Sequence, residues 1–307
     1  MNPCSIAIMQ RPRLGNCLTC LSHFIPYAQD CGADVFFPDF DRFLPIFQEF
    51  SGHVTMCYRG SEGRFVKSAP LNPAVLDRIY QEIKSIPDTA RCLEEPEFRN
   101  LELDDERTYL SEIGFLNGPI RKKAFLQTPL ITGFLQKHLI TAFWVGFVFR
   151  STHTQKLDEL FKIDPAFIDK TAHKYHAFSD RRLPVIGIHI RRGDYVSWQS
   201  GVHFHSLEFY AEAIQRISEI FQGACLFFLA SSEPVPVRLF EGGNISIGGH
   251  SVNEDFVGLS QCDYIVGPPS TFSDHAARIG GRSRVILSNP MNFESLFPAK
   301  QPAQRVL

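Results

Sequence analysis

The sequence predicts an α/β protein, with a doubly wound sheet beginning near the amino terminus and a Rossmann-like second half, and three observations predict it. The first lies near the amino terminus. There residues 4–9 (Cys-Ser-Ile-Ala-Ile-Met) read as a strand, Cys17 to Ala28 as a helix and Asp34-Val35-Phe36-Phe37 as a second strand. A β-loop-α-β unit of this kind begins a doubly wound sheet. The second is the stretch from Val185 to Leu287, where short apolar runs alternate with helix-length segments. The third is Ala224 to Ala230, apolar at every position, as expected of a strand with helices on both faces.

In the first half, the turn Arg11-Pro12-Arg13-Leu14-Gly15-Asn16 precedes the first helix. Backbone N–H groups at a helix start suit a phosphate, and an ordinary turn fits these residues equally well. Neither G-x-G-x-x-G nor G-x-x-x-x-G-K-[ST] occurs there. Pro38 stops the second strand. From Phe40 to Phe98 prolines interrupt the pattern, but Pro73 to Ile86 reads as a helix with Val75, Leu76, Ile79 and Ile83 along one side. A strand is expected around Arg107 to Gly118, and Leu130 to Phe149 is apolar enough to join the first core. Thr154 to Leu160 and Pro165 to Ala177 read as helical. The polar run Asp180-Arg181-Arg182-Leu183-Pro184 ends in proline and serves as the expected linker, which divides the chain into residues 1–182 and 183–307.

The second half begins with a strand at Val185 to Ile190, a loop from Ser197 to Ser206, and a helix from Leu207 to Phe221 with Phe209, Ala213, Ile214, Ile217 and Phe221 apolar. After the strand at Ala224 to Ala230 come Ser231-Ser232-Glu233-Pro234 and a short helix to Phe240. Ile245 to Ile247 is a brief strand, and a helix is expected from Asp255 to Gln261. A strand at Asp263 to Gly267, a helix from Asp274 to Ile279 and a strand at Arg284 to Leu287 complete the series. No internal repeat or low-complexity tract is present.

Chemistry gathers where these strands end. His189, Arg191, Arg192 and Asp194 lie within six positions, at the close of an apolar strand. Alternation puts His189 and Arg191 on one face and Arg192 on the other until Gly193 bends the chain. Two guanidinium forks match phosphate oxygens, and open α/β sheets bind ligands at this end. Asp194 suits either holding an arginine or accepting a hydroxyl. An exposed ion-pair cluster is the plainer reading, and the position directly after a buried strand favours a site. Ser270, Thr271 and Ser273 fall between a strand and a helix, which fits an anion at the helix mouth or an ordinary cap. Asp255, read as opening a helix, fits a cap or a carboxylate taking two N–H groups from a base such as guanine.

Composition narrows the field. The 307 residues are 44% hydrophobic and 21% charged, with net charge −2; nothing in that balance recommends a nucleic-acid or membrane surface. Leu139 to Phe149 is too short to cross a bilayer and ends at Arg150, so a cytoplasmic protein, or the soluble part of a longer one, is expected, with no integral membrane segment. Phenylalanine is abundant, at 28 residues, which implies aromatic-rich packing. Of eight cysteines, Cys17 and Cys20 form a C-x-x-C. No second pair follows, so buried apolar cysteines are expected rather than a metal or redox site.

His189-Ile190-Arg191-Arg192-Gly193-Asp194-Tyr195 resembles the H-x-R-R-x-D-Y signature of the α-1,2-fucosyltransferases and the related α-1,6-fucosyltransferases. Asp255 to Val266, running into Ser270-Thr271-Phe272-Ser273, resembles the family's D-x-x-x-L-S segment with its S-T-F-S turn. Arg13-Leu14-Gly15-Asn16 resembles the family's amino-terminal G-x-L-G-N-Q turn. The resemblance is local in the first half and nearly continuous from Val185 to Ala277. It implies a GT-B-like enzyme of two facing Rossmann-type domains, the second binding GDP-fucose and the first on the acceptor side. It further implies catalytic roles for Arg191, His189 and Asp194. Asn16, Arg192, Ser232, Asp255, Ser270, Thr271, Phe272 and Ser273 are the implied donor contacts, Arg191 on the diphosphate and Asp255 on guanine. The implied reaction is inverting transfer of fucose to a glycan hydroxyl, α-1,2 to galactose; the alternatives are a glycosyltransferase of the same fold using another nucleotide sugar, or a non-catalytic nucleotide- or carbohydrate-binding protein. No metal or cofactor is expected, since arginine and helix dipole carry the leaving group's charge. Two departures concern acceptor and linkage more than donor: Cys17 stands where the family has glutamine, and Asp274-His275 replaces a tryptophan pair.

Overall fold

A computed structural model describes residues 5–7, 13–32, 34–53, 55–67, 74, 125–126, 139–140, 159–179, 182–240, 244–249 and 251–287. The helix expected at 73–86 and the strand at 107–118 lie outside the described residues, as do nearly all of 130–149 and most of 154–160. The chain divides into two compact units, Met1–Lys162 and Ile163–Leu307.

The first unit opens with β1 (Ser5–Ala7), α1 (Leu14–Cys31) and β2 (Asp34–Phe37), and β1 and β2 pair in parallel. This is the β-loop-α-β unit expected from the sequence. The helix starts earlier than its apolar run, at Leu14, so Gly15 and Asn16 belong to its first turn instead of a preceding loop. Pro38 ends β2 and begins a 3-10 segment, Pro38–Ile46, because a proline has no N–H to offer the ladder. Next, β3 (Met56–Arg59) pairs antiparallel with β2, and β4 (Arg64–Phe65) pairs antiparallel with β3. A two-stranded piece, β5 (Phe125–Leu126) with β6 (Leu139–Ile140), is also antiparallel. Phe40, Phe47, Phe50, Phe65 and Phe161 interlock, with ring centroids 4.3 Å apart for Phe50–Phe65 and 5.3 Å for Phe47–Phe161. Cys17 and Cys20 are buried, and burial pushes the Cys17 thiol up, the state of a small apolar residue and not of a reactive thiolate.

The second unit begins ahead of the expected linker, with α2 (Pro165–Lys174), whose first turn is capped by Asp164. The cause of that earlier boundary is packing. Tyr175 and Phe178 lie 5.1 and 5.2 Å from Phe228, and the Ala177 N–H donates to Ser246 Oγ at 2.9 Å. Five strands follow: β7 (Val185–Ile190), β8 (Leu226–Ser231), β9 (Ile245–Ile247), β10 (Tyr264–Gly267) and β11 (Ser283–Ile286). They pair in parallel in the order β11-β10-β7-β8-β9, so the chain reverses direction across the sheet beside β7, where such sheets place their ligands.

Helices α3 (Leu207–Ile220), α4 (Val252–Gln261) and α5 (Thr271–Gly280) make the crossovers. Ser206 caps α3, its Oγ accepting from Phe209. One core holds Ile186, Ile188, Ile190, Tyr210, Ile217, Phe227 and Leu229. Helix α4 presses closely on β8, since a Cβ at Gly258 would stand 2.4 Å from the Phe228 ring. Among the described residues no helix is long and apolar enough to cross a membrane.

Candidate functional site

Both β7 and β10 end at the same edge of the sheet, and the candidate residues lie just beyond. His189, near the end of β7, is 3% exposed. Its Nδ1 lies 3.2 Å from Ser273 Oγ and its ring 5.4 Å from that of Phe272. Burial, helped by the nearby Arg284 charge, pulls the imidazole down to about 3, so it is neutral near pH 7. A neutral ring in that setting is a weak base. The ring is thereby joined to the first turn of α5.

Arg191 leaves the strand with its backbone N–H donated to the Tyr210 hydroxyl at 3.3 Å. Its Nη2 donates to Asp194 Oδ2 at 2.8 Å, and its guanidinium sits 5.5 Å above the Tyr195 ring. Its side chain is 13% exposed against 52% for Asp194, and its Nε is buried without a hydrogen bond. Arg192 goes to different neighbours, as alternation implies. Its guanidinium lies 5.3 Å over Phe204, and Nη1 is 3.3 Å from Glu233 Oε1. That pair is in ionic contact but out of hydrogen-bond geometry, since both Arg192 Nε and Glu233 Oε1 are buried without hydrogen bonds. Two arginines with donors to spare, matched by carboxylates that only partly engage them, can take an anion. Ser232 is exposed on the loop beside Glu233, and Ser231 Oγ holds that loop by donating to Glu233 O at 2.7 Å.

Helix α5 begins at Thr271, earlier than Asp274, because Ser270 caps it. The Ser270 side chain accepts from the Phe272 N–H at 3.3 Å. Ser270, Thr271 and Phe272 are half-buried at this mouth, while Ser273 is fully buried. The Ser273 hydroxyl is occupied by His189 and Ser270 O, so it supports the turn. The Tyr195 hydroxyl donates to Pro269 O, which ties the ring beneath Arg191 to the same turn. The structure thereby links Arg191, Asp194 and Tyr195 to the α5 mouth, whose dipole favours an anion.

Asp255 does not open its helix. Ser251 caps α4, its Oγ accepting from the Glu254 N–H, and Asp255 lies one turn in, 6% exposed. Its Oδ1 accepts no hydrogen bond, and a Cβ at Gly248 would stand 2.3 Å from that atom; glycine is what lets the backbone approach. Burial, then the Glu254 charge, pushes the carboxyl up to about 7, against a lowering pull from Lys174. Lys174 Nζ holds Glu254 Oε2 at 2.5 Å and the Tyr175 hydroxyl donates to it at 3.1 Å. Asn16 lies in the other unit, half-buried in the first turn of α1.

Sequence reading missed Arg284. From β11 it donates to Pro268 O at 2.5 Å, Gly267 O at 3.2 Å, Val285 O at 2.7 Å and Asp274 Oδ1 at 3.1 Å, and so fixes the loop from which α5 starts. A charge within an otherwise strand-like run was the signal available.

Residues 158–306 match the model of glycosyl transferase family 11. No curated protein matches the chain. Among solved structures the chain is similar to POFUT1 in complex with GDP-fucose, at TM-score 0.50 and 12% identity over 93% of this chain and 98% of that one. The POFUT1 complex with GDP gives the same values. Fucosyltransferase NodZ from Bradyrhizobium is similar at TM-score 0.47 and 15% identity, covering 90% of this chain and 92% of that one. The POFUT1 likeness shows a shared fold, and the fold is the GT-B-like α/β type.

Proposed function

We infer, from the match of residues 158–306 to glycosyl transferase family 11 and the geometry of the site, that the chain is an inverting fucosyltransferase, moving fucose from GDP-fucose to a glycan hydroxyl. The carrying observation is Arg191: a guanidinium held by Asp194 and Tyr195, with its buried Nε unpaired, tied through Tyr195 to the mouth of α5. In the reaction the bond from fucose C1 to the β-phosphate oxygen breaks, and its electron pair leaves with GDP. The acceptor oxygen forms the new C1 bond from the opposite face, and its proton passes to the Asp194 carboxylate or to solvent. Arg191 and the backbone at Ser270, Thr271 and Phe272 meet the charge that builds on the diphosphate. Such preorganised electrostatics is usually the largest part of catalysis. Arg192 supplies a second cation once a phosphate competes with Glu233, and Ser232 lies alongside. Asp255 accepts from the guanine N–H groups, since Oδ1 is buried and has no other donor. Asn16 is proposed as a donor contact from the first unit on the strength of the motif resemblance alone. α-1,2 transfer to galactose is proposed from the motif resemblance, whose H-x-R-R-x-D-Y signature the α-1,6 enzymes share.

Two measurements test this reading. In thermal-shift titration, GDP is expected to raise Tm and UDP to leave it unchanged, because only a nucleotide that binds the native state stabilises it. GDP-fucose with a panel of galactosides, followed by mass spectrometry, is expected to give a fucosylated product. Equal stabilisation by UDP would remove the guanine assignment, and absence of product from every galactoside would remove the linkage.

A further inference from the structure

The loop after Tyr195 combines an unusual backbone with an unusual surface. Gln199, Ser200 and Gly201 have φ of 49°, 59° and 78°, and side-chain-bearing residues keep such angles only under constraint, commonly where a ligand is clamped. On this loop Trp198 is 38% exposed, and its neighbours Val196 and Val202 are more exposed still. The indole lies 4.8 Å from the Tyr195 ring and 5.2 Å from the His203 ring. His203 Nε2 is in turn 3.0 Å from Gln199 Oε1. An apolar centre thus has His203 against it, and Gln199 on the same loop is held by His203. A large aromatic ring with a few fixed polar groups is the lining of a small-molecule site. A hexose, with one apolar C–H face and a rim of hydroxyls, has the matching chemistry.

Position decides which sugar. The Tyr195 hydroxyl reaches Pro269 at the α5 mouth, while its ring lies beneath Arg191 and against Trp198. Trp198 therefore lies one ring further from the proposed phosphate turn than Arg191's own support. We propose that Trp198 is the platform on which a hexose ring of the acceptor glycan stacks, with its hydroxyl rim toward Asp194 and Gln199. This rests on the fucosyl-transfer reading and extends it: part of the acceptor site belongs to the carboxyl-terminal unit, beside the donor arginine.

The test separates acceptor from donor. Trp198→Ala is expected to raise the acceptor KM by about tenfold or more, with GDP-fucose KM and acceptor-free hydrolysis of GDP-fucose unchanged. Trp198→Phe, which keeps an aromatic face, is expected to restore most of the loss. An unchanged acceptor KM, or a GDP-fucose KM that rises as much, would overturn the assignment and leave the ring as a support for Tyr195. A second readout needs no donor. The chain has two tryptophans, so Trp144→Phe leaves Trp198 as the sole indole reporter. Its fluorescence is expected to change on adding lactose, N-acetyllactosamine or chitobiose. A response without any fucosyl transfer keeps this platform and removes the donor reading; no response to any of the three removes the platform.

Discussion

Asp255 is a buried carboxylate whose Oδ1 accepts no hydrogen bond, pushed up to about 7 by burial and by Glu254. Its ordinary value is 3.8. Between 3.8 and about 7 the folded protein keeps a proton that the unfolded chain has lost, so this group's contribution to stability falls as pH rises through that window. The proposed guanine contact runs the other way, because it needs the ionised carboxylate to accept two N–H groups. GDP affinity is expected to climb about tenfold per pH unit up to pH 7 and then level. Asp255→Asn is expected to flatten the thermal-stability slope between pH 5 and 8, raise Tm at pH 8 and weaken GDP. Parallel Tm profiles for the two proteins would show that the carboxyl titrates as an ordinary surface acid. His189 shows the limit of reading residues singly. Its place in a charged motif suggested an exposed reacting group, and the imidazole is 3% exposed and hydrogen-bonded to Ser273.

At the scale of elements, the start of α5 depends on Arg284, whose guanidinium holds the carbonyls of Gly267 and Pro268. Removing it takes that donor from the buried Pro268 carbonyl, at about 1–3 kcal/mol, while Gly267 O keeps the Leu287 N–H at 2.9 Å. Arg284→Leu is expected to lower Tm and to loosen the α5 mouth, so that turnover falls further than folded protein does. Lysine should restore little, because one ammonium cannot reproduce a planar fork with several acceptors. Equal Tm for wild type and Arg284→Leu, by calorimetry, would contradict this. The strand β7 was legible because an unbroken apolar run stops at a charge cluster. The starts of α4 and α5 were not. Asp255 and Asp274 looked like helix openers, whereas Ser251 and Ser270 do the capping several residues earlier. Arg284 was hidden for a related reason: a buried arginine in an edge run reads as solvent-facing until the carbonyls it serves are known.

For the whole molecule, the sequence showed the second unit's five strands in order, and the parallel pairing followed from helix-length spacing between them. The division after Lys162 was not visible, since it is set by Tyr175 and Phe178 packing on Phe228 and not by composition. In the first unit the β-loop-α-β start was legible, while the antiparallel β3 and β4 were concealed in a proline-broken stretch. The donor assignments share one physical basis, a diphosphate held by Arg191 at the dipole of α5. The most direct test is steady-state transfer by purified Arg191→Ala beside wild type, with Tm measured on both. The expected result is a kcat lower by about 10²–10³ at unchanged Tm; wild-type turnover in the folded variant would contradict the account.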